Sequence, residues 1–178
     1  MKTLTTTRLC LRPLIKADFP AIAAMASDPE VMRYLALDST VPTYEEACQK
    51  APQILDWPYP EGGGIWAIIS RQEGVFIGWV LLGSLEELPD VEIGYRLSRA
   101  FWGQGYATEA GRRLADHAFR DLMVGHLIAV VHPQNLASVR VTEKLGLKRS
   151  GTLQTFGVTL NRYALSRKHY LERFDRCS

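Results

Sequence analysis

Residues 97–110, LSRAFWGQGYATEA, decide the fold of this chain. An apolar strand pattern ends at Leu97, a helical pattern begins near Ala107, and Gly103 and Gly105 lie in the turn between them. Glycine lets a backbone approach a ligand closely and adopt dihedral angles that other residues avoid. The first N–H groups of a helix have no intrahelical partner and carry partial positive charge. The stretch predicts a phosphate-binding turn, although an ordinary strand–turn–helix connection explains it equally well.

The helix after this turn has the clearest periodicity in the chain. Its apolar and small residues recur at i, i+3 and i+4: Ala107, Ala110, Gly111, Leu114, Ala115, Ala118, Phe119 and Leu122. Glu109 and Arg113 are expected to form an exposed i, i+4 pair. An apolar strand follows at 127–131. The strand, the helix and this second strand form a βαβ unit, which implies parallel pairing through a right-handed crossover.

The flanking segments predict mostly antiparallel strands. Alternation over 8–14 predicts a half-buried strand, and 65–70 with 75–82 predicts a hairpin. Residues 75–82 are apolar on both faces, so this strand is expected at the centre of a sheet. Strand 91–97 leads into the opening stretch. The other predicted elements are helices beginning near Asp18, Asp28 and Thr43, a helix over 137–145 closed by Gly146, strands over 148–156 and 161–166, and a terminal helix over 167–174.

Together these elements predict a mixed α/β (α+β) fold. It is a mostly antiparallel, twisted sheet with one parallel βαβ step and helices on both faces. A chain of 178 residues is long enough for one hydrophobic core, and it contains no repeat or linker pattern. We therefore expect a single domain over 1–178.

Composition excludes several classes of function. A formal net charge of +2 makes no case for a nucleic-acid or membrane surface. The three cysteines are odd in number and lack CxxC spacing, which is typical of a reduced cytoplasmic protein. The four histidines lack zinc-ligand spacing, so no metal is expected. No signal-peptide or membrane-span pattern is present at the N-terminus.

Four segments together resemble a known family. The resemblance is to the GNAT superfamily of acetyl-coenzyme A-dependent N-acetyltransferases, and within it to the RimJ/RimL-like, ribosomal-protein-type branch. The segments are TRLCLRP at 7–13, DPEV at 28–31, EIGY at 92–95 continuing to WGQGYATEA at 102–110, and NLAS at 135–138 continuing to EKLGL at 143–147. They span most of the chain in the family's order and spacing.

This resemblance implies where acetyl-CoA binds. The pyrophosphate of coenzyme A is expected on the backbone N–H groups of the turn, and the strand of the EIGY motif is expected to pair with the pantetheine amides. The superfamily often has Gln or Arg three residues before the second glycine. Trp102 is a departure shared by the RimJ/RimL-like branch. The implied cofactor-binding residues are Ile93, Tyr95, Leu97, Trp102, Gly103, Gln104, Gly105, Tyr106, Ala107, Thr108, Asn135 and Ser138.

The resemblance also suggests how the coenzyme A thiolate leaves. Asn135 is expected to hold the pantetheine arm, and a hydroxyl near Ser138 donates a proton to the thiolate in related enzymes. Many superfamily members have a tyrosine just before the Glu-Lys pair, where this chain has Thr142. Ser138 is therefore the better candidate general acid. The alternative is that Asn135 and Ser138 only serve the turn and the helix start.

Glu92 is the candidate general base. An amine nucleophile must lose a proton, and partial burial would raise the pKa of a carboxylate towards neutrality. The alternative is a glutamate that faces solvent or pairs with an arginine. Weaker candidates lie on the preceding loop: Glu86, Glu87 and Asp90. The cysteines are poorly placed for a covalent intermediate, so direct attack on the thioester is the preferred mechanism, with a backbone N–H of 93–95 polarising the carbonyl.

The acceptor stays open at this stage. The resemblance favours a protein N-terminal amine, with a small-molecule amine (antibiotic, polyamine or amino acid) almost equal to it. The acceptor side is expected in 18–64, where Tyr34, Trp57 and Tyr59 either line a cleft or, as we favour, simply pack. A non-catalytic CoA-binding module and another kind of nucleotide-binding protein are the competing functions. The sequence leaves monomer and homodimer equally open.

Overall fold

The computed structural model describes residues 1–35, 40–85, 90–155 and 157–174. In this part of the chain, eight strands form one sheet in the order β1-β2-β3-β4-β5-β6-β8-β7. They are β1 (Leu4–Thr5), β2 (Leu9–Pro13), β3 (Gly64–Ser70), β4 (Phe76–Ser84), β5 (Val91–Leu97), β6 (His126–Val131), β7 (Lys148–Thr155) and β8 (Val158–Ser166). Every neighbouring pair is antiparallel except β5 and β6, which are parallel. The predicted mixed sheet with one parallel step is confirmed.

Six α-helices accompany the sheet in the described residues. They are α1 (Phe19–Ala26), α2 (Pro29–Met32), α3 (Tyr44–Lys50), α4 (Tyr106–Asp116), α5 (Leu136–Leu145) and α6 (Arg167–Phe174). Thr43 and Glu46 form a capping box at the start of α3, since each side chain accepts a hydrogen bond from the other residue's backbone N–H. Pro52 then ends the α-helical pattern, and the chain continues as the 3-10 helix Ala51–Asp56.

The sequence patterns missed three local features. β1 has only two residues, too few for an alternating pattern to show. α4 ends in a π-helical turn, His117–Asp121, inside an otherwise continuous helical period. Asp18 precedes α1 as predicted, but its carboxylate makes no capping bond to α1. It accepts instead from both terminal nitrogens of Arg12, at 2.7 and 2.8 Å, because a guanidinium fork satisfies both of its oxygens.

The two faces of the sheet carry separate apolar cores. α4, α5 and α6 cover one face through Leu114, Leu145 and Tyr170. α1 and α2 cover the other through Ile22, Met25 and Val31. β4 is buried on both faces from residue 77 to 83, as expected for a central strand.

Successive residues of β5 face opposite cores. Ile93 and Leu97 belong to the α4–α6 side. Arg96 and Gly94 stand opposite Trp79 and Leu81 of β4, which belong to the core on the α1–α3 side. Because side chains alternate along a strand, Glu92 also points to the α1–α3 side. This alternation decides which residues of β5 meet on each face of the site.

Candidate active site

The sheet divides where β5 meets β6. The two strands pair at Val91 with Leu127 and at Glu92 with Ile128, and the described residues 93–97 and 129–131 do not pair with each other. β4 continues to pair with β5 as far as Leu97. The β6-facing edge of 93–97 therefore borders a wedge between the two halves of the sheet. A free strand edge presents N–H and C=O groups that an extended ligand can pair with.

A cavity of about 800 Å³ fills this wedge. Its walls come from β4, β5, β6 and α5, and from the segments around α1, α2 and α3. It brings together five of the predicted site residues: Glu92, Ile93, Tyr95, Asn135 and Ser138. The side chain of Leu97 is buried in the core instead, and residues 102–108 lie outside the cavity wall.

Glu92 lies where β5 and β6 separate, since it is the last residue of β5 that pairs with β6. Burial raises the pKa of its carboxyl to about 7. Its side chain has no hydrogen bond or ion pair with any described residue, so nothing offsets the cost of ionising it there. A carboxyl with a pKa near neutrality is suited to exchange a proton with a ligand in the cavity.

Ser138 meets Tyr95 on the other side of the wedge. The Ser138 hydroxyl acts on the phenol of Tyr95 and lowers its pKa, but burial has the larger effect, so the pKa of Tyr95 is raised. The hydroxyl of Thr142 donates to the backbone oxygen of Ser138, at 2.9 Å, and so is used within the helix. Sequence reasoning assigned Tyr95 to pantetheine binding and missed its phenol as a partner of Ser138.

Asn135 is the N-cap of α5. Its side-chain oxygen accepts from the backbone N–H of Ser138 at 3.1 Å, which satisfies one of the free N–H groups of the helix. Asn135 also lines the cavity. Its amide NH₂ group remains available for a ligand, so the capping role and a ligand-holding role are compatible.

The glycine-containing turn exposes a row of backbone N–H groups. Gly103 and Gly105 have φ of 75° and 82°, a region that favours glycine. No described residue accepts a hydrogen bond from the N–H groups of residues 103–108. The neighbouring side chains bond back to the main chain: Trp102 donates to the oxygen of Leu97 at 2.9 Å, and Gln104 to that of Ala100 at 3.0 Å. Consecutive free N–H groups at a helix N-terminus bind phosphates.

Arg8 holds this turn against the sheet. Its guanidinium donates to the backbone oxygen of Gln104 at 3.0 Å and to the carboxylate of Glu109 at 2.6 Å, and it lies 4.4 Å from the centroid of the Tyr106 ring. The predicted pair of Glu109 with Arg113 is wrong. Glu109 turns towards Arg8 and the Thr6 hydroxyl, because these offer it three hydrogen bonds at the helix start.

Arg96 and Trp79 are two polar cavity residues that the sequence patterns did not single out. The guanidinium carbon of Arg96 lies 5.2 Å from the centroid of the Trp79 ring, and both residues line the cavity. Arg96 Nε and Trp79 Nε1 are buried and have no hydrogen-bond partner. Burial lowers the pKa of Arg96 to about 10. The period-2 alternation of the strand, which places Arg96 on the same face as Glu92, was the available signal.

The aromatic residues of the first sixty positions line the cavity rather than only packing. Tyr34, Trp57 and Tyr59 all contribute to its wall. The ring of Tyr34 stacks on that of His132 with 5.2 Å between centroids, which links the end of α2 to the end of β6. The preference for packing alone was therefore too narrow for these three residues.

The remaining candidates lie elsewhere. Asp90 forms an ion pair with Arg162 at 2.6 Å, while Glu86 and Glu87 lie outside the described residues. Cys10 and Cys48 are free thiols that do not line the cavity, and Cys177 is outside the described part of the chain. Within the described ranges, no group of His, Cys, Asp and Glu side chains is arranged to hold a metal ion. No helix among these residues is long and apolar enough to span a membrane.

Comparison with known proteins decides the family. The model of the acetyltransferase (GNAT) domain family matches residues 8–148. The chain belongs to this family. The chain is accordingly an N-acetyltransferase, with acetyl-CoA as the acetyl donor.

Individual relatives agree with the family. The GNAT chain is 30% identical to the uncharacterized N-acetyltransferase p20 of Bacillus licheniformis, over 88% of each protein. It is 32% identical to the FsC-acetyl coenzyme A-N(2)-transacetylase of Aspergillus fumigatus, over 82% of this chain and 64% of that protein. The crystal structure of an acetyltransferase from Agrobacterium tumefaciens is 29% identical and superposes with a TM-score of 0.74, over 93% of this chain and 94% of that one.

Proposed function

We propose that this GNAT domain, acting as one unit over 1–178, acetylates a primary amine by direct attack on the thioester of acetyl-CoA. The observation that carries this proposal is one cavity lined by Glu92, a carboxyl whose pKa is about 7, and by the hydroxyl groups of Ser138 and Tyr95. The amine nitrogen forms a bond to the acetyl carbon as the carbon–sulfur bond breaks. Glu92 takes the amine proton, and the thiolate receives a proton from Ser138.

Acetyl-CoA is proposed to enter along the wedge. Its pyrophosphate binds the free N–H groups of 103–108, and its pantetheine arm pairs with the open edge of 93–97 beside Asn135. A backbone N–H of 93–95 polarises the thioester carbonyl. This placement is supported by the end of β5–β6 pairing at Glu92 and by the free N–H groups of the turn.

Ser138 is proposed to act together with Tyr95. Since a serine hydroxyl is a weak acid, it needs a second group to replace the proton that it gives to sulfur. The phenol of Tyr95 lines the same cavity and is the group that we propose returns that proton. The pair thereby links the leaving sulfur to a more acidic group.

The acceptor is proposed to be a small-molecule amine. The acceptor side of the cavity is bounded by the segments around α1, α2 and α3 and by the Tyr34–His132 stack, which favours a compact ligand. A protein N-terminus is the second candidate, favoured by the RimJ/RimL-like motifs at 92–95 and 102–110. Competition decides between them: small amines and N-terminal peptides are offered together, and mass spectrometry identifies the acetylated product.

The test of the reaction is release of free thiol from acetyl-CoA in the presence of a panel of primary amines. We expect amine-dependent thiol release that falls at least tenfold in Glu92→Gln at neutral pH. Absence of thiol release with every amine and peptide would reject the catalytic role. Binding of acetyl-CoA without turnover would then favour a CoA-binding module.

A further inference from the structure

The acceptor side of the cavity contains a half-buried cation, Arg96, that has no anionic partner among the described residues. Arg96 has no ion pair or hydrogen bond with any residue in the described ranges, and its Nε is buried without an acceptor. An indole N–H, that of Trp79, is buried without an acceptor beside it. A buried donor without an acceptor destabilises the folded protein, and a charged donor does so more strongly. A donor pair of this kind is stabilised when a ligand supplies the missing acceptors.

The charge of the cavity wall points to an anion. Among the described lining residues, Glu92 provides the single carboxylate, against the cations Arg96 and Lys50. The pKa of Glu92 lies near neutrality, so its negative charge is only partial at pH 7. The described part of the wall is therefore net positive on the α1–α3 side.

The placement of Arg96 sets the shape of the acceptor. Glu92, Gly94 and Arg96 lie on the same face of β5, because every second side chain of a strand points to the same side. Four residues at roughly 3.3 Å per residue place the α-carbons of Glu92 and Arg96 about 13 Å apart. Gly94 between them contributes no side chain and lines the cavity. A ligand on this face has room for an amine towards Glu92 and a second polar group towards Arg96.

We propose that the acceptor amine carries a carboxylate, and that Arg96, together with the indole N–H of Trp79, binds this carboxylate on the α1–α3 side of the cavity. The guanidinium fork matches both oxygens of a carboxylate. The acceptor class is thus an amino acid or short peptide with a free carboxyl group. This inference rests on the proposed acetyl transfer for its substrate, although the anion site itself can be tested by binding.

The experiment compares acceptors that differ only in the carboxylate. Glycylglycine is paired with glycylglycinamide, and 6-aminohexanoate with hexylamine, and thiol release gives kcat/KM for each. We expect the carboxylate member of at least one pair to be favoured tenfold or more. Arg96→Gln should abolish that preference, Arg96→Lys should retain part of it, and the KM for acetyl-CoA should stay unchanged in both.

Arg149→Gln is the matched control, because Arg149 is an exposed arginine that bonds Asn161 outside the cavity. Equal kcat/KM within both pairs overturns the inference and leaves the acetyltransferase reaction standing. A rise in the KM for acetyl-CoA in Arg96→Gln, without a change in acceptor preference, also overturns it, since Arg96 would then belong to the donor site.

A binding measurement separates the inference from the reaction. Calorimetry with the CoA-saturated wild type should detect 6-aminohexanoate but not hexylamine, and Arg96→Gln should lose that binding. If no amine is acetylated while this difference is seen, the anion site stands and the proposed reaction fails. If neither ligand binds and none is acetylated, both are overturned.

Discussion

Glu92 combines two properties that come from one position. It is the last residue of β5 that pairs with β6, so it is held by backbone bonds on both sides while its side chain faces the cavity. Desolvation there raises its pKa to about 7. When the pKa of a base lies near the working pH, about half of the molecules carry it in the deprotonated form. That form is still basic enough to take a proton from the amine.

The pH dependence of activity should report this carboxyl. A base works when it is deprotonated, so kcat/KM of the wild type should rise with pH through an apparent pKa of about 7. Glu92→Gln should lower activity at pH 7 and recover part of it at pH 9, where more amine is already unprotonated. Glu73→Gln, an exposed glutamate on the β3–β4 turn, is the control and should keep the wild-type profile. Unchanged activity of Glu92→Gln across pH would remove the base role.

The same substitution should stabilise the fold in a pH-dependent way. The folded-state pKa of Glu92 lies above the usual 4.5, so the folded protein holds this proton more tightly and the wild type loses stability as pH rises from about 4.5 to 7. Glutamine is never ionised and escapes that loss. Urea unfolding should show Glu92→Gln more stable than wild type by roughly 3 kcal/mol at pH 8 and equal to it at pH 4. A larger difference at pH 4 than at pH 8 would contradict the desolvated carboxyl.

Ser138 is tested by separating turnover from affinity. If it protonates the thiolate, Ser138→Ala should reduce kcat by about tenfold or more while the KM for acetyl-CoA changes little. Tyr95→Phe should reduce kcat as well, and the double variant should be no worse than the poorer single one, because the two groups act in series. Thr142→Val is the control, since that hydroxyl already bonds the backbone of α5. A change confined to the KM for acetyl-CoA would make Ser138 a binding residue.

At the scale of elements, the sequence predicted helices and strands best where the hydrophobic pattern was regular or a capping residue marked the end of a helix. The helix 136–145 with left-handed Gly146, the helix that begins after Thr43 and the doubly buried β4 all follow from local physics that tertiary contacts reinforce. Glu109 shows where prediction from local spacing fails. Its helix spacing pointed to Arg113, but a sequence-distant partner, Arg8, offered better geometry. Arg96 shows the same limit, since only the assembled sheet puts it beside Trp79 and in the cavity.

The turn between β5 and α4 should matter for acetyl-CoA more than for folding. Gly105→Ala forces an L side chain into φ of 82°, at a cost of about 1–2 kcal/mol, and shifts the N–H groups that face the pyrophosphate. We expect the KM for acetyl-CoA to rise several-fold. Gly74→Ala is the matched control: φ is 70°, a Cβ there meets nothing within 4 Å, and the turn lies away from the cavity. It should lose similar stability with an unchanged KM, and equal KM in both variants would remove the turn from the donor site.

At the scale of the whole molecule, the ligand should complete the sheet. In the described part of the chain, β1–β5 and β6–β8 are joined by two paired residues on each of β5 and β6, so coenzyme A in the wedge would bridge the two halves. At one hundred times its Kd, the ligand adds about 2.7 kcal/mol of stability, or roughly 5–10 °C in Tm for a domain of this size.

Hydrogen exchange locates that effect. Coenzyme A should slow exchange of the amides in 93–97 and 129–131, on both sides of the wedge, as well as in 103–108. The control is adenosine 3′,5′-bisphosphate, which lacks the pantetheine arm and the pyrophosphate. It should leave 93–97 and 129–131 unprotected. If coenzyme A protects the turn alone, the wedge is not its pantetheine channel. If it protects both strands, the division of the sheet at Glu92 is the feature that turns this fold into a coenzyme A receptor, because a closed sheet would offer no free strand edge to pair with.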